Sequence, residues 1–288
     1  MELSVVVAAI EAGAFYALIA LGYYLFVQAT TALNFAMGAF VMAAGLTTAF
    51  LVVGSGHDIV IGTCAGLAVA AMLALVSQEG ILRPMFARTT NEFGPLMAIV
   101  AFMFIIEQVA GLVYGRQPRR GAELVDAQIP LGRGWVPLHD VIAIAVTLLT
   151  FACVAVWLKK GRHGRMLRAV GDNKNAATLL GLPVVRVRQI AVSASGLVCG
   201  IAGVLAAPQT SITFQSDLSY STVGFLAMVL GGRGSPYAPL LGGFLLAFFE
   251  LGAARIIGPG YRDYALVFLV LAVFTFRPQG LITVKVRI

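Results

Sequence analysis

The chain is a succession of apolar runs with short polar breaks between them. About 20 apolar residues in a helix span the hydrocarbon core of a bilayer. Backbone groups in lipid must find their partners within their own segment, and the sequence lacks the alternation of a membrane barrel, so each run is predicted to be helical. The sequence therefore predicts one all-α transmembrane bundle of about eight or nine spans, forming a single domain over residues 1–288. The runs lie at about 4–27, 34–53, 58–77, 94–115, 139–158, 188–207, 221–232, 236–257 and 262–277.

The composition excludes a soluble globular domain and a soluble enzyme. Apolar residues make up 59% of the 288 residues and charged residues only 11%, so the charged surface of a soluble domain is missing. The formal net charge of +7 raises the question of nucleic acid. The largest basic cluster lies in one loop between two spans, however, where it indicates membrane topology. We expect a lipid bilayer around the chain and no nucleic-acid partner.

The loop at residues 159–188 sets the predicted orientation. Its charged residues are Lys159, Lys160, Arg162, Arg165, Arg168, Lys174, Arg186 and Arg188 against Asp172 alone. Because cytoplasmic loops retain Lys and Arg, we expect this loop in the cytoplasm. Counting outward puts the Glu79–Glu92 loop and the tail with Arg277, Lys285 and Arg287 inside. The 116–137 loop then lies outside, although it is also basic, with Arg116, Arg119, Arg120 and Arg133 against Glu123 and Asp126.

The side of the N-terminus depends on the number of spans. It lies outside if all nine runs cross the membrane and inside if one does not. The first residues lack the basic region of a signal peptide, so we expect the chain to begin with its first span.

Two segments interrupt the regular pattern of spans. The run Ser221–Gly232 covers only about 18 Å as a helix and is followed by Gly234 and Pro236, so it is predicted to be a half-span. A second break falls at Asn34–Gly38. Broken helices in membranes occur where they are buried in protein or line a cavity, which makes both segments candidates for a substrate pathway. A tight turn between two ordinary helices is the alternative for the first of them.

The 159–188 loop is long enough to contain its own helix. Asp172 or Asn173 can cap its start, and Gly181 and Pro183 end it. The intervening residues give a short amphipathic turn with small residues on one side. Such a helix can dock into a groove of a soluble partner, or it can lie on the lipid surface.

Five segments carry a family resemblance: LNFAMGAF at 33–40, LRPMF near 82, GRMLRAVGDNKNAATLLGLPVVRVRQIA at 164–191, VLGGRGSPYAPLLGG near 229 and FRPQGL at 276–281. They resemble, in the same order and over nearly the whole chain, the permease subunits of ABC importers for branched-chain amino acids. In the third segment, Asn175-Ala176-Ala177-x-x-x-Gly181 resembles the loop by which such permeases engage their ATPases, with Asn175 where the family often has Glu.

The resemblance implies a permease of the bacterial cytoplasmic membrane that works with a second, identical or related permease, two cytoplasmic ATPases and an extracytoplasmic binding protein. It implies a coupling helix in the 159–188 loop, and ATP and Mg²⁺ on the ATPases. No GxxxxGK[ST] loop occurs in the chain, which agrees with a non-catalytic subunit without its own cofactor. The predicted coupling residues are Arg165, Arg168, Asp172, Asn175, Ala176, Ala177, Leu180 and Gly181.

The break at Asn34–Gly38, which resembles the family's NFAHG segment, makes Asn34, Phe35, Met37 and Gly38 candidates for the pathway. The amide of Asn34 can bond a broken helix end and face a cavity. Met37 replaces the usual His of the family, so a titratable donor is lost. Hydrophobic amino acids are the cargo that the resemblance implies, and aromatic carboxylates, urea or amides are alternatives in the same importer class.

Three acidic residues lie within predicted spans, where a charge is costly. They are Glu11, Glu107 and Glu250. Glu107 can line the pathway, or it can make a structural hydrogen bond between helices. An ion-coupled secondary transporter, with Glu107 and Glu250 as its coupling groups, is the alternative from another class.

The sequence contains no pattern of a catalytic or metal site. Paired catalytic carboxylates, a matched Ser, His and Asp, and a Cys with a nearby His are all missing, so the chain is predicted to be neither an enzyme nor a metal protein. Gly196, Gly200 and Gly203 form a small-residue face and are predicted to let helices approach closely.

Overall fold

The computed structural model describes residues 3–30, 32–88, 93–123, 125, 127–131, 134–232, 234–276 and 281–282. Several residues used in the orientation argument lie outside this part of the chain, namely Glu92, Asp126, Arg133, Arg277, Lys285 and Arg287. The helices are α1 Leu3–Thr30, α2 Met37–Ala49, α3 Ile59–Leu75, α4 Arg83–Arg88, α5 Phe93–Val113, α6 Leu138–Lys160, α7 Arg162–Asp172, α8 Lys174–Leu179, α9 Val184–Ala206, α10 Asp217–Gly231, α11 Ala238–Ile256 and α12 Arg262–Phe276. Phe50–Gly54 and Val76–Leu82 are π-helical, and Pro259–Tyr261 forms a 3₁₀ turn.

Each predicted apolar run coincides with a helix, and seven helical stretches are long and apolar enough to cross a membrane. The chain is therefore a multi-pass membrane protein. The seven are Val6–Thr30, Met37–Gly54, Ile59–Arg88, Phe93–Val113, Leu138–Lys160, Val184–Ala206 and Ala238–Ile256. Helices α10 and α12 have 15 residues each, which corresponds to about 22 Å. The count of eight or nine spans stays a prediction that depends on these two.

The 116–137 loop contains a short hairpin that the all-α prediction missed. Strand β1 (Gln128–Leu131) pairs antiparallel with β2 (Gly134–Pro137), with Ile129 opposite Val136. Strands of four residues are too short to show a two-residue hydrophobic period, which explains why no strand was predicted here.

The helices group into two compact units, and the single domain over 1–288 stays a prediction. One unit comprises residues 1–21, 123–153 and 223–288, and the other comprises residues 22–122 and 154–222. We call them the first and the second unit.

The second unit is built on close packing of α2, α3 and α9. A Cβ atom on Gly203 of α9 would overlap the carbonyl oxygen of Val41 on α2, and one on Gly196 would lie 2.7 Å from the carbonyl oxygen of Ala70 on α3. Side chains at these points would force the helices apart. The predicted packing role of this glycine face is confirmed.

In the first unit, α11 packs against the N-terminal part of α1 and the C-terminal part of α10. A Cβ on Gly243 would lie 2.5 Å from the backbone nitrogen of Ala17, and one on Gly242 would overlap the carbonyl oxygen of Ala227. The segment after α12 returns to the end of α10, where the N–H of Leu281 donates to the carbonyl of Leu230 at 2.9 Å. Two of the five family segments thus meet here, although residues 277–280 lie outside the described part of the chain.

Contacts within the second unit bring its loops together at two opposite ends of the helices, as expected for spans that cross the membrane in alternating directions. At one end, Arg188 of α9 lies 3.9 Å from Glu79, and Gly171 lies beside Gln28 of α1. At the other end, Arg119, after α5, exchanges two backbone hydrogen bonds with Ile212, after α9. The predicted orientation makes the first end cytoplasmic and the second external.

Candidate functional site

The break before α2 and the start of α10 are joined by the hydroxyl of Ser221. The backbone N–H of Gly38 donates to Ser221 Oγ at 3.0 Å, and Ser221 Oγ donates to the carbonyl of Phe35 at 2.5 Å. The hydroxyl of Tyr23 donates to the carbonyl of Ser221 at 3.1 Å. One side chain therefore satisfies two backbone groups that the broken helix leaves free. The two segments predicted separately as pathway candidates are in direct contact.

Gly38 lets the two segments approach each other. A Cβ at this position would overlap the carbonyl oxygen of Asp217 and the backbone nitrogen of Ser221. Both are backbone atoms, which cannot rotate away as a flexible side chain can. Gly38 thus packs directly against the first turn of α10.

Asn34 fixes the conformation of the break. Its side-chain carbonyl accepts from the N–H of Ala36 at 2.9 Å, and its amide donates to Ser77 Oγ at 3.0 Å. Ser77 Oγ in turn donates to the carbonyl of Ala74 at 2.7 Å. The residue is fully buried, and in this conformation both the oxygen and the nitrogen of its side-chain amide make structural hydrogen bonds.

Met37 is also fully buried, in a contact formed by sulfur and oxygen atoms. Its sulfur lies 3.6 Å from Ser195 Oγ and 3.8 Å from Cys199 Sγ, both on α9. The hydroxyl of Ser195 donates to the carbonyl of Gly22 at 2.8 Å. Met37 therefore packs between helices in this conformation, whereas Phe35 beside it is half-buried.

A polar, non-helical segment at residues 207–216 leads from α9 to α10. It passes along α2, because Ile212 lies against Gly45 and Asp217 against Gly38, seven residues or about 10 Å apart on that helix. Its backbone groups bond to turns, to Arg119 and to the hydroxyl of Ser216. Irregular backbone is tolerated within a membrane only where it is buried in protein or lines a cavity.

The sequence interpretation missed this segment as a pathway candidate. The signal was present as the polar run QTSITFQSD between two apolar helices. Thr210, Ser211 and Gln215 are exposed, while Asp217 at its end is buried. The segment continues the Ser221 joint with polar groups toward the predicted external end.

The three acidic residues within predicted spans have different surroundings. Glu107 of α5 is 8% exposed, and Gln108 Nε2 donates to its Oε1 at 3.5 Å. Glu250 of α11 is 1% exposed, and Glu11 is half-buried within electrostatic reach of Asp140. Of the three, Glu107 is in the same unit as the Ser221 joint.

The loop at 159–188 contains two helices, α7 and α8, where the sequence predicted one. Asn173 caps α8, since its side-chain oxygen accepts from the N–H of Ala176 at 3.0 Å. Gly181, with φ +73°, ends it, and the N–H of Gly181 donates to the carbonyl of Thr178 at 3.0 Å. The predicted start and end of this helix are therefore found. Helix α7 was missed although the sequence carried a signal. Its buried residues recur at helical spacing and are Gly164, Leu167 and Val170.

Helix α8 buries one of its two alanines and exposes its last leucine. Ala177 is 2% exposed, whereas Leu179 is 88% exposed and Leu180, just after the helix, is 80% exposed. Of the small residues predicted on one side, Ala176 is exposed and Ala177 is buried, and both leucines lie on the outer surface of the loop. Arg168, Asp172, Ala176 and Gly181 are also exposed, and Arg165 Nη1 donates to the carbonyl of Lys160 at 2.7 Å. The side chains of Lys174 and Asn175 lie outside the described part of the structure.

Comparison with known proteins identifies the family. The sequence profile of the permease component of branched-chain amino acid transport systems matches residues 5–275. The chain belongs to this family. It is 25% identical over 289 residues to the high-affinity branched-chain amino acid transport system permease protein BraD of Pseudomonas aeruginosa, covering 94% of this chain and 92% of the relative.

Other permeases are also similar to the chain. An 88-residue stretch, 29% of this chain and 27% of the relative, is 42% identical to the L-arabinose transport system permease protein AraH of Escherichia coli. Among solved structures, PsaBC from Streptococcus pneumoniae in complex with Fab matches with a TM-score of 0.54, at 11% sequence identity. The match covers 96% of this chain and 94% of that one and shows a shared fold.

The described part of this permease contains no group of three or more His, Cys, Asp or Glu residues that could hold a metal ion. The polar groups of the Ser221 joint are hydroxyls, amides and backbone atoms, and such a set can form and exchange hydrogen bonds along a solute path.

Proposed function

We propose that this permease is the translocation subunit of an ATP-driven ABC importer that moves branched-chain or other hydrophobic amino acids across the bacterial cytoplasmic membrane. The observation that carries the proposal is helix α8, which is capped at both ends and presents Leu179 and Leu180 on the surface of a basic loop. Two exposed leucines at the end of a short capped helix suit a groove on a soluble protein.

The proposed complex contains this chain, a second identical or related permease, two cytoplasmic ATPases and an extracytoplasmic solute-binding protein. ATP and Mg²⁺ bind to the ATPases, and this chain has no catalytic residues of its own. The residues proposed to form the ATPase contact are Leu179, Leu180, Gly181, Ala176, Asn175, Asp172, Arg168 and Arg165. The buried Ala177 is proposed to pack the helix against the rest of the chain.

Movement of the loop can reach the Ser221 joint through a series of short contacts. Arg188, at the end of the loop, lies 3.9 Å from Glu79, which pairs with Arg83 at 2.6 Å. Glu79 belongs to the π-helical segment Val76–Leu82, and such segments are frequent at functional sites. Two residues away, Ser77 accepts the hydrogen bond from Asn34 that fixes the break.

The cargo is proposed from the relatives, whose names specify branched-chain amino acids for a match over 94% of this chain, ribose for one over 73% and L-arabinose for one over 29%. The longer match and the family profile favour amino acids over sugars. Aromatic carboxylates, urea and amides are alternatives within the same importer class.

An ion-coupled secondary transporter is the second candidate function. The observation in its favour is the burial of Glu107 and Glu250, since buried carboxylates in transporters often carry protons. Glu250 lies in the first unit and Glu107 in the second.

Photo-crosslinking tests which soluble partners contact the chain. We expect a photoreactive amino acid at position 180 to crosslink to an ATPase in membranes that contain the whole transport system. The same amino acid at position 211, exposed at the opposite end of the second unit, is expected to crosslink to the solute-binding protein. Crosslinks of position 180 to lipid alone would contradict the docking role. Crosslinks of position 180 to the binding protein and of position 211 to an ATPase would contradict the predicted orientation.

A further inference from the structure

The carboxylate of Asp217 is buried with one of its oxygens left without a donor. Asp217 begins α10 and is 1% exposed. The backbone N–H of Leu218 donates to the carboxylate, while Oδ2 has no hydrogen-bond partner among the described residues. A buried carboxylate oxygen without a donor is costly. The free oxygen is therefore available to a group that is absent from this conformation.

A second buried carboxylate, Glu107, lies on α5, which packs against the segment that leads to Asp217. Its negative charge acts on that of Asp217. Helix α5 lies against the 207–216 segment one turn further along, where a Cβ on Gly111 would be 3.2 Å from Phe214 Cδ2. Neither Asp217 nor Glu107 takes part in an ion pair among the described residues. Both carboxylates are therefore buried without a basic partner in this part of the chain.

The position of the pair connects it to the pathway candidates. The carbonyl of Asp217 lies against Gly38, so this residue is part of the Ser221 joint itself. Glu107 lies on α5, one turn before Gly111, which packs against Phe214 of the segment that ends at Asp217. A solute that passes along the polar 207–216 segment and through the joint would meet both carboxylates.

The chemistry of the pair selects a positively charged donor. Two carboxylates close together in a region of low dielectric constant disfavour double ionisation, and a cation relieves the repulsion. A primary ammonium group offers three N–H donors and no acceptor, so it can donate to the unpartnered Asp217 Oδ2 while the charge of Glu107 also attracts it. A free carboxylate would instead meet two like charges.

We propose that Asp217 and Glu107 form a binding site for the ammonium group of the transported amino acid, at the joint between the break and α10. The inference rests on the proposed function and adds a criterion for the cargo. Amines and zwitterions are accepted, whereas anions such as aromatic carboxylates are rejected.

Ligand-induced thermal stabilisation of the full-length chain in lipid nanodiscs tests this site without any ATPase. Four probes separate the contributions of the two charged groups. Leucine carries both an ammonium and a carboxylate, isopentylamine carries only the ammonium, and 4-methylpentanoate carries only the carboxylate. L-arabinose is a neutral polyol. We expect leucine and isopentylamine to raise the unfolding midpoint, and 4-methylpentanoate and L-arabinose to leave it unchanged.

Charge-neutralising variants test whether the ammonium group binds at Asp217 and Glu107. In Asp217→Asn the remaining side-chain oxygen can still accept from Leu218, so the helix start is preserved while the charge is lost. We expect Asp217→Asn and Glu107→Gln each to weaken isopentylamine binding about tenfold or more. The matched control Glu123→Gln, in the exposed outer loop, is expected to bind like the wild type.

Several outcomes would overturn the inference. They are equal stabilisation by 4-methylpentanoate or L-arabinose, unchanged affinity in both neutralised variants, or no shift of the wild type by any probe. Stabilisation by acid alone, without an effect of any probe, would assign the pair to a shared proton and overturn it as well. The crosslinking at position 180 fails or succeeds separately, so a wrong cargo site and a wrong importer assignment can be distinguished.

Discussion

Leu180→Glu is expected to abolish co-purification of the permease with its ATPase while leaving membrane insertion intact. Leu180 is 80% exposed, so the substitution disturbs no internal packing. Burying a leucine in a partner's groove contributes about 1.5–3 kcal/mol, and a carboxylate placed there adds a desolvation cost. The combined loss corresponds to a reduction in affinity of at least about 100-fold. Affinity purification in mild detergent, followed by quantification of both subunits, measures it.

Val125→Glu is the matched control for this substitution. Val125 is 40% exposed in the loop predicted to lie on the external side, so the same change of chemistry there should leave the ATPase bound. Equal recovery of ATPase with Leu180→Glu and with the wild type would contradict docking through α8. That result would favour the alternative in which this helix lies on the lipid surface.

Gly38→Ala is expected to prevent formation of the joint between the break and α10. A single methyl group would overlap two backbone atoms, at Asp217 and Ser221. Overpacking typically costs about 1–3 kcal/mol, and more where backbone must move. Separation of the segments would also break the hydrogen bonds of Ser221 to Gly38 and Phe35. We expect a lower thermal unfolding midpoint in detergent and loss of transport.

Gly252→Ala is the control for the effect of the added methyl group itself. No atom lies within 4 Å of a Cβ at Gly252, so this substitution in α11 should be neutral or stabilise by about 0.5–1 kcal/mol. Wild-type stability and transport in Gly38→Ala would show that the close approach at Gly38 is unimportant.

Local features of the sequence predicted local features of the structure. The apolar runs coincide with helices because length and hydropathy alone decide where a chain crosses lipid. The start of α8 at Asn173 and its end at Gly181 were found because capping depends on a few neighbouring residues. The glycine face of α9 was interpreted correctly because small residues at helical spacing indicate close packing whatever the partner helix is.

Features that depend on distant parts of the chain were missed. Ser221 is 183 residues from Gly38, and no periodicity connects them. The inward position of Ala177 and the outward position of Leu179 depend on how the loop packs, which a pattern of small residues does not determine. Asp217 lay outside the predicted half-span, so its relation to Glu107 became visible only with the fold.

ATP hydrolysis by partner subunits is expected to drive transport through this chain. The direct measurement is uptake of radiolabelled leucine into proteoliposomes that contain the permeases and ATPases, with binding protein added outside and ATP enclosed. We expect uptake that requires ATP, persists after the proton gradient is collapsed, and stops with Leu180→Glu. Uptake that survives removal of the ATPases and disappears with the proton gradient would show that an ion gradient drives transport instead.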